Sequence, residues 1–155
     1  MQCDNPPCVP VCPAKGATYK GKDGLVHIDY DKCIGCGNCV SACPYESRHI
    51  DGGDFFSDGT PSMAAYETLP TYDWNKERTR EGDNPPIHKA RKCHFCLHRI
   101  QRGMLPMCVS SCIGRATYFG DANDSNSLVS ELLKKHKTTR MLEQLGTKPR
   151  VYYIN

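Results

Sequence analysis

The spacing of cysteine is the feature that most restricts how this chain can fold. Eleven of its 155 residues are cysteine, and they form three groups separated by stretches without cysteine. The groups are Cys3, Cys8 and Cys12; Cys33, Cys36, Cys39 and Cys43; and Cys93, Cys96, Cys108 and Cys112. Only 39% of the residues are hydrophobic, so we expect a small apolar core that needs metal or covalent cross-links.

The second group carries the strongest signal. It reads Cys33-Ile-Gly-Cys36-Gly-Asn-Cys39-Val-Ser-Ala-Cys43-Pro44, which is the C-x2-C-x2-C-x3-C-P run of bacterial ferredoxins. Three thiolates at this spacing can wrap three corners of one cubane, while the small residues of the loop, Gly35 and Gly37, let backbone N–H groups approach the sulfurs. Cys43 follows about one helical turn later and faces a second cluster.

Other cross-links fit this second group less well. Structural zinc takes four ligands, usually as two separated pairs, and the second group crowds three cysteines into seven residues. A framework of disulfides would need an even number of cysteines, and eleven is odd. The spacing therefore favours an iron–sulfur cluster.

The other two groups are weaker signals when taken alone. The first, Cys3-x4-Cys8-x3-Cys12-Pro13, is the same kind of motif with a wider middle gap and without its first cysteine. The third, Cys93-His-Phe-Cys96-x11-Cys108-x3-Cys112, would serve a zinc site about equally well. Its position beside a ferredoxin motif favours a cluster. His94 and His98 are further candidate ligands, but we expect them to be exposed polar residues.

The pattern predicts an α+β fold of tandem bacterial-ferredoxin-like modules with a long insertion and a C-terminal helical tail. Residues 1–45 are a dicluster module, and 92–120 are a second half-module. A weak internal repeat supports this, because residues 12–19 and 112–118 both run from a cysteine into a short β-like segment. Residues 121–155 are the helical tail and a closing strand.

Residues 46–91 form the insertion, which we expect to wrap the cluster module or to face a partner. The insertion is polar, with glycine and proline breaks, and it carries the aromatic residues Phe55, Phe56, Tyr66, Tyr72 and Trp74. A loop of such length in a small domain is usually functional or ordered by a partner. A mobile surface loop is the alternative.

Local signals predict several elements of secondary structure. The pair Asp23-Gly24 is a hairpin turn, followed by a returning strand at residues 25–29 with Val26 and Ile28 on one face. In the tail, Asp124 or Ser125 caps a helix. Its apolar stripe consists of Leu128, Val129, Leu132 and Leu133. A second short helix at residues 140–145 stops at Gly146, and residues 151–154 form the closing strand.

Composition excludes several classes of function. The formal net charge is only +3 and the basic residues form no long run, so the chain lacks the electrostatic footprint of a nucleic-acid-binding protein. Apolar runs of four residues or fewer are too short for a direct membrane span. We find no nucleophile–base pair, phosphate loop or flavin fingerprint, and therefore predict no catalytic residue.

The sequence resembles the iron–sulfur electron-transfer subunits of molybdopterin oxidoreductases, the group that includes the small subunits of dimethyl sulfoxide, polysulfide/thiosulfate, tetrathionate and arsenate reductases. The resemblance covers almost the whole chain in order. It is carried by residues 3–13, 33–45, 92–96, 106–108, 119–121 and 146–154.

The resemblance implies a function and partners. The chain would relay electrons between a quinone-linked membrane anchor subunit and a molybdopterin catalytic subunit of an anaerobic respiratory complex. It would be membrane-associated through those partners, on the periplasmic face or alternatively on the cytoplasmic face. Two other hypotheses remain open: a stand-alone ferredoxin-like electron carrier, and a zinc-stabilised interaction module.

The resemblance also implies ligand sets, because members of the family typically carry four cysteine motifs and four [4Fe–4S] clusters. Cys12, Cys33, Cys36 and Cys39 would hold one complete cluster. Two further clusters would have three ligands each, namely Cys3, Cys8 and Cys43, and Cys93, Cys96 and Cys108. Cys112 would reach a cluster whose other ligands are absent. One missing motif and one missing cysteine account for the number eleven, so we expect an N-terminally truncated protein, the alternative being a natural minimal form.

Overall fold

The computed structural model describes residues 1–73 and 76–155. Within these residues the secondary structure consists of short elements. The helices α1 to α4 are Asn38–Ser41, Leu97–Ile100, Met107–Ser110 and Leu128–Lys135. The strands β1 to β8 are Thr18–Lys20, Val26–Ile28, His49–Ile50, Thr71–Asp73, Lys76–Arg78, Ala90–Arg91, Thr138–Thr139 and Tyr153–Ile154. Two 3-10 helices are Ala65–Glu67 and Glu143–Leu145.

The chain divides into two compact units. The first unit comprises Met1 and Pro6–His94, and the second comprises Gln2–Asn5 and Phe95–Asn155. The first contains three antiparallel strand pairs, β1–β2, β3–β6 and β4–β5, whereas the second contains the pair β7–β8. In the described part of the chain, no helix is both long enough and apolar enough to cross a bilayer.

The structure confirms the predicted hairpin near the N-terminus. Strands β1 and β2 pair with Tyr19 opposite His27, and Gly24 takes the left-handed backbone conformation that the turn requires (φ 78°). The returning strand predicted at residues 25–29 is shorter in the structure, where β2 covers Val26–Ile28. His27 is buried together with Val26 and Ile28, because the β2 backbone lies within the core of the first unit and both of its faces are covered.

The second copy of the internal repeat differs from the first. Residues 112–118 lead into no strand in the described structure, although residues 12–19 lead into β1. A strand needs a partner for its backbone groups. Thr18 of the first copy pairs with Ile28, and residues 115–120 have no such pairing in the described residues.

The tail helix α4 begins later than predicted. Its N-cap is Ser127, whose hydroxyl accepts a hydrogen bond from the Ser130 N–H at 3.1 Å. The predicted caps were wrong: Asp124 instead accepts from the Asn126 N–H at 2.9 Å and forms the preceding turn. The apolar stripe predicted for this helix is only partly covered, because Leu128 at its start is exposed.

The last two elements of the tail, the second helix and the closing strand, are shorter than predicted. The second helix is a single 3-10 turn that ends at Gly146 (φ 66°), as the sequence indicated. The closing strand is confirmed but covers only β8, and its partner β7 was not predicted. Two-residue strands carry too little periodicity to be recognised in a sequence.

The insertion is closed at its base by a strand pair. Strands β3 and β6 lie at its two ends and pair with Ile50 opposite Ala90, while β4 and β5 form a hairpin between them. Trp74, one of the aromatic residues of the insertion, lies outside the described residues. The pairing makes the insertion a loop with joined ends, which lowers the freedom that a chain of this length would otherwise keep.

A buried carboxylate fastens the base of the insertion. The Asp51 side chain is 2% exposed, and its oxygens accept hydrogen bonds from Arg80 at 2.7 Å and from Arg91 at 2.8 Å. Burial raises the pKa of the Asp51 carboxyl, but hydrogen bonds from Arg80, from the Gly53 N–H and from Arg91 outweigh it and lower the pKa to about 2. The Asp51 carbonyl oxygen also accepts from the His88 N–H at 2.8 Å.

The cysteine loop at residues 33–39 packs tightly against the segment around His88. A Cβ atom added to Gly35 would lie 2.2 Å from the His88 carbonyl oxygen, and Gly35 has φ +73°. Gly37 has a similar φ of +78°, but nothing lies within 4 Å of the corresponding point. Gly35 is therefore required both by backbone conformation and by close approach, whereas Gly37 is required by conformation only.

These two glycines make a matched pair of variants. Gly37→Ala should destabilise the chain by about 1 kcal/mol, the cost of a left-handed alanine. Gly35→Ala should cost about 3 kcal/mol or more, because the methyl group also displaces the His88 backbone. Urea denaturation of the chain, monitored by circular dichroism, measures both losses of stability. Equal losses in the two variants would contradict the close packing.

Asp51→Asn should cost about 3 kcal/mol, because it leaves two arginines facing a neutral group at a buried site. Asp31→Asn is the control: Asp31 also binds two cations, Lys76 and Arg78, but its side chain is 46% exposed, so the loss should stay below about 1 kcal/mol. Urea denaturation measures both losses, and equal losses would contradict the role of burial at Asp51.

The Asp51 effect should not depend on pH near neutrality. The folded-state pKa is about 2 and the ordinary value is 3.8. The stabilisation is thus present above pH 3.8 and is lost progressively as the pH falls from there through 2. Urea midpoints at pH 6 and pH 8 should show the same loss for Asp51→Asn, and a loss that changes between these pH values would count against the pairing.

Candidate iron–sulfur sites

Cysteine side chains make up much of the small core of the first unit. Its buried members are Cys8, Ala17, Val26, Ile28, Tyr30, Cys33, Cys39 and Ala90. Cys12 packs against this core, as do Val9, Ala14 and Val40. The structure therefore brings together sulfurs from the first and the second cysteine groups, which are separated in sequence by the β1–β2 hairpin.

Local backbone geometry sets the positions of the second cysteine group. The Cys33 N–H donates to the Asp29 carbonyl at 3.0 Å, which anchors the loop to the end of the hairpin. The left-handed residues Gly35 and Gly37 then turn the chain, and Gly37 caps helix α1. Cys39 lies on this short helix and is buried, whereas Cys36 is exposed at the turn.

The third cysteine group uses a similar turn without glycine. Phe95 and Cys96 both have left-handed backbone (φ 58° and 52°), and Cys96 caps helix α2. Left-handed conformations cost non-glycine residues about 1 kcal/mol or more, and such strain is often found at functional sites. In this group Cys93 is exposed and belongs to the first unit, while Cys96 belongs to the second.

Backbone N–H groups point at cysteine sulfur in the second unit. The Met107 N–H donates to Cys96 Sγ at 3.5 Å, and the Ala116 N–H donates to Cys112 Sγ at 3.2 Å. The hydrogen bond from Ala116, followed by that from the Thr117 hydroxyl, lowers the pKa of the Cys112 thiol. The contacts of Cys112 favour its thiolate, which is the form that binds metal.

The surroundings of Cys8 differ. Burial raises the pKa of the Cys8 thiol, and the neighbouring Cys43 and Cys39 raise it further, against a lowering effect of Arg48. Thiolates crowded in a buried place are unfavourable unless a cation neutralises them. The iron of a [4Fe–4S] cluster supplies such a charge, so this donor set fits that group.

Single-ion geometry is not found in the described residues. Among them, no three Cys, His, Asp or Glu side chains are close enough together to bind one metal ion. A [4Fe–4S] cubane takes one thiolate on each of four irons, whereas zinc gathers four ligands around one point.

The expectation that His94 and His98 are exposed was wrong, since both are half-buried. Burial, followed by the charges of Arg99 and Arg102, lowers the pKa of His98.

The remaining predicted ligands are distributed between the units. Cys3 is buried in the second unit, close in sequence to Asp4, which binds Arg150 at 2.7 Å. Cys43 is half-buried in the first unit, and Cys108 is exposed on helix α3 in the second.

Sequence reasoning missed the groups around the sulfurs. The Met107 and Ala116 N–H groups are backbone atoms, so no residue type marks them. Arg48 is buried, at 4% exposure, near Cys8, yet a single arginine after a cysteine motif carries no signal of its own.

Comparison with protein families gives two matches. Residues 26–48 match the family described as a 4Fe-4S binding domain, and residues 77–122 match the 4Fe-4S dicluster domain. The first range contains the cysteines of the second group, and the second range contains those of the third. The chain thus contains ferredoxin-like 4Fe-4S domains.

Curated relatives match along the whole chain. A subunit of the selenate reductase of Mesobacillus selenatarsenatis is 56% identical over 99% of this chain and 52% of its own length. The arsenate respiratory reductase iron–sulfur subunit of Shewanella sp. is 40% identical over 98% of this chain and 71% of its own length.

A subunit of the tetrathionate reductase of Salmonella typhimurium is 38% identical over 98% of this chain and 48% of its own length. The chain thus spans about half the length of several of the relatives that it matches. With these relatives and the two domain matches, the chain belongs to the family of iron–sulfur electron-transfer subunits of molybdopterin oxidoreductases.

Proposed function

We propose that this chain relays single electrons, through [4Fe–4S] clusters, between a quinone-linked membrane anchor subunit and a molybdopterin catalytic subunit of a respiratory oxidoreductase. The observation that carries the proposal is the core of the first unit, which contains Cys33 and Cys39 and against which Cys12 packs. A bound cluster supplies reversible one-electron transfer over a wide range of potentials. The chain itself supplies the thiolates, the N–H donors and the burial that tune each potential.

The ligand sets form part of this proposal. Cys12, Cys33, Cys36 and Cys39 all belong to the first unit and hold one complete cluster. The influence of Cys43 on the Cys8 thiol supports a second site that uses both of these cysteines. The other five cysteines, Cys3, Cys93, Cys96, Cys108 and Cys112, are proposed as cluster ligands as well.

The exposed part of the insertion supports a docked subunit over a free carrier. Phe56, Tyr66 and Leu69 are 91%, 65% and 63% exposed. The Ser57 N–H and hydroxyl both donate to the Glu67 carboxylate, which fixes the backbone beside Phe56 close to that beside Tyr66. Exposed apolar groups gathered in this way mark an interaction surface, and we propose that it contacts a partner subunit.

The partners follow from the relatives. These are named as subunits of selenate, arsenate and tetrathionate reductases, and we propose that this chain likewise serves a reductase whose substrate is bound by another subunit. Association with the membrane would then come from the partners, on the periplasmic face or alternatively on the cytoplasmic face. No residue of this chain is proposed to act on the substrate.

The cluster part of the proposal is tested by metal content. The anaerobically reconstituted chain should contain iron and acid-labile sulfide and, after reduction, should give the EPR signals of [4Fe–4S] clusters. Cys33→Ala should remove the iron of one cluster, because its thiol belongs to the complete set. Ser41→Ala, on the exposed side of helix α1, should keep all of it. A colourless protein that takes up zinc would instead support the zinc-stabilised module.

The partner part is tested by co-purification with a co-expressed molybdopterin subunit. The double variant Phe56→Ser with Leu69→Ser should lose most of the bound catalytic subunit, since it removes the exposed apolar groups. Its iron content should not change. Ser62→Ala is the control in the same insertion and should bind as the wild type does. Wild-type chain that carries clusters but retains no large subunit would favour the stand-alone carrier.

A further inference from the structure

Two charged side chains of the first unit are buried, and only one of them is neutralised within the described residues. Asp51 lies between Arg80 and Arg91. Arg48 is 4% exposed, and its Nη1 atom makes a long hydrogen bond to the Thr18 hydroxyl at 3.5 Å. Its Nη2 atom is buried and has no hydrogen-bond partner in the described structure.

A guanidinium in this state is unfavourable. Burial of a charge without a partner is strongly unfavourable, and native proteins rarely accept it unless a group of opposite charge lies nearby. None of the ion pairs found in the described residues involves Arg48. The negative charge that would neutralise it is therefore not a carboxylate of the described residues.

The acidic groups close to Arg48 are cysteine thiols. Arg48 contacts Thr18, which directly follows Ala17 of the core that also contains Cys8 and Cys39. The positive charge of Arg48 acts on the Cys8 thiol in this core. Thiolates around an oxidised [4Fe–4S] core leave a net negative charge, about −1 with three thiolates and about −2 with four. A cluster bound by these cysteines would supply the negative charge that Arg48 lacks.

We infer, on the basis of the proposed function, that Arg48 is the buried counter-charge of the cluster beside Cys8 and Cys43. Reduction of that cluster by one electron adds one negative charge, so a fixed cation nearby stabilises the reduced form more than the oxidised form. Arg48 is thus a residue that raises the potential of this one cluster, acting through its charge and without ligating iron.

The test is an EPR-monitored redox titration of the reconstituted full chain and three variants. At the potential where the wild-type cluster is half reduced, Arg48→Gln should lower the ratio of reduced to oxidised cluster on the order of tenfold. For a one-electron couple, this corresponds to a shift of about 59 mV to lower potential. Arg48→Lys keeps the charge and should stay within about twofold of wild type.

Thr18→Val is the structural control. It removes the hydrogen-bond acceptor of Arg48 and keeps the charge, so its potentials should equal those of wild type. If Arg48→Gln leaves every potential unchanged, or if Arg48→Lys shifts as far as Arg48→Gln, the role of the charge is overturned.

Failure of cluster uptake is also informative. If Arg48→Gln binds less iron, the Arg48→Lys variant decides the question. Wild-type iron content and potential in Arg48→Lys support the inference, whereas loss of iron in both variants overturns it. Wild-type chain without any cluster signal would overturn the proposed function first, and this inference with it. If the wild-type chain gives normal cluster signals, a negative result for the Arg48 variants overturns only the inference about Arg48.

Discussion

Cys8, Cys33 and Cys39 occupy core positions that a larger domain would fill with leucine or phenylalanine. A thiol buries little apolar area, so these contacts contribute much less to folding than a hydrocarbon core of ordinary size. Metal binding then supplies folding free energy as well as function, since the cysteines come together as a site only when the chain is folded. The left-handed turns at Gly35 and Gly37 are tolerated within this arrangement, and the hairpin β1–β2 surrounds it because Val26 and Ile28 complete the same core.

One carboxylate joins segments within the insertion, and the insertion contacts the rest of the first unit at Gly35 and at Asp31, which binds Lys76 and Arg78. Asp51 accepts from Arg80 and Arg91 with its side chain and from the His88 N–H with its carbonyl oxygen. The His88 carbonyl in turn faces Gly35 of the cysteine loop. A segment that could have been a mobile loop is thus positioned against the cluster-binding part of the first unit, while its exposed aromatic residues remain on the surface.

Prediction from sequence succeeded where a local rule decides the structure. The turn at Asp23-Gly24 and the stop at Gly146 both depend on residues that favour positive φ, and both were found. It failed where neighbours compete. Ser127, and not Asp124, caps α4, because the Asp124 side chain is already engaged with the Asn126 N–H. Residues 115–120 resemble the β1 segment but form no strand, because pairing depends on a second segment.

The sequence by itself determined the chemistry of this protein, because the spacing of thiols along a short loop decides which inorganic group they can bind. Only the tertiary structure decided which charges surround those thiols. The close contact of Gly35 with His88, the pairing of Asp51 with two arginines and the burial of Arg48 all join residues that are distant in sequence. Such contacts arise from the packing of several segments together, and no local pattern encodes them.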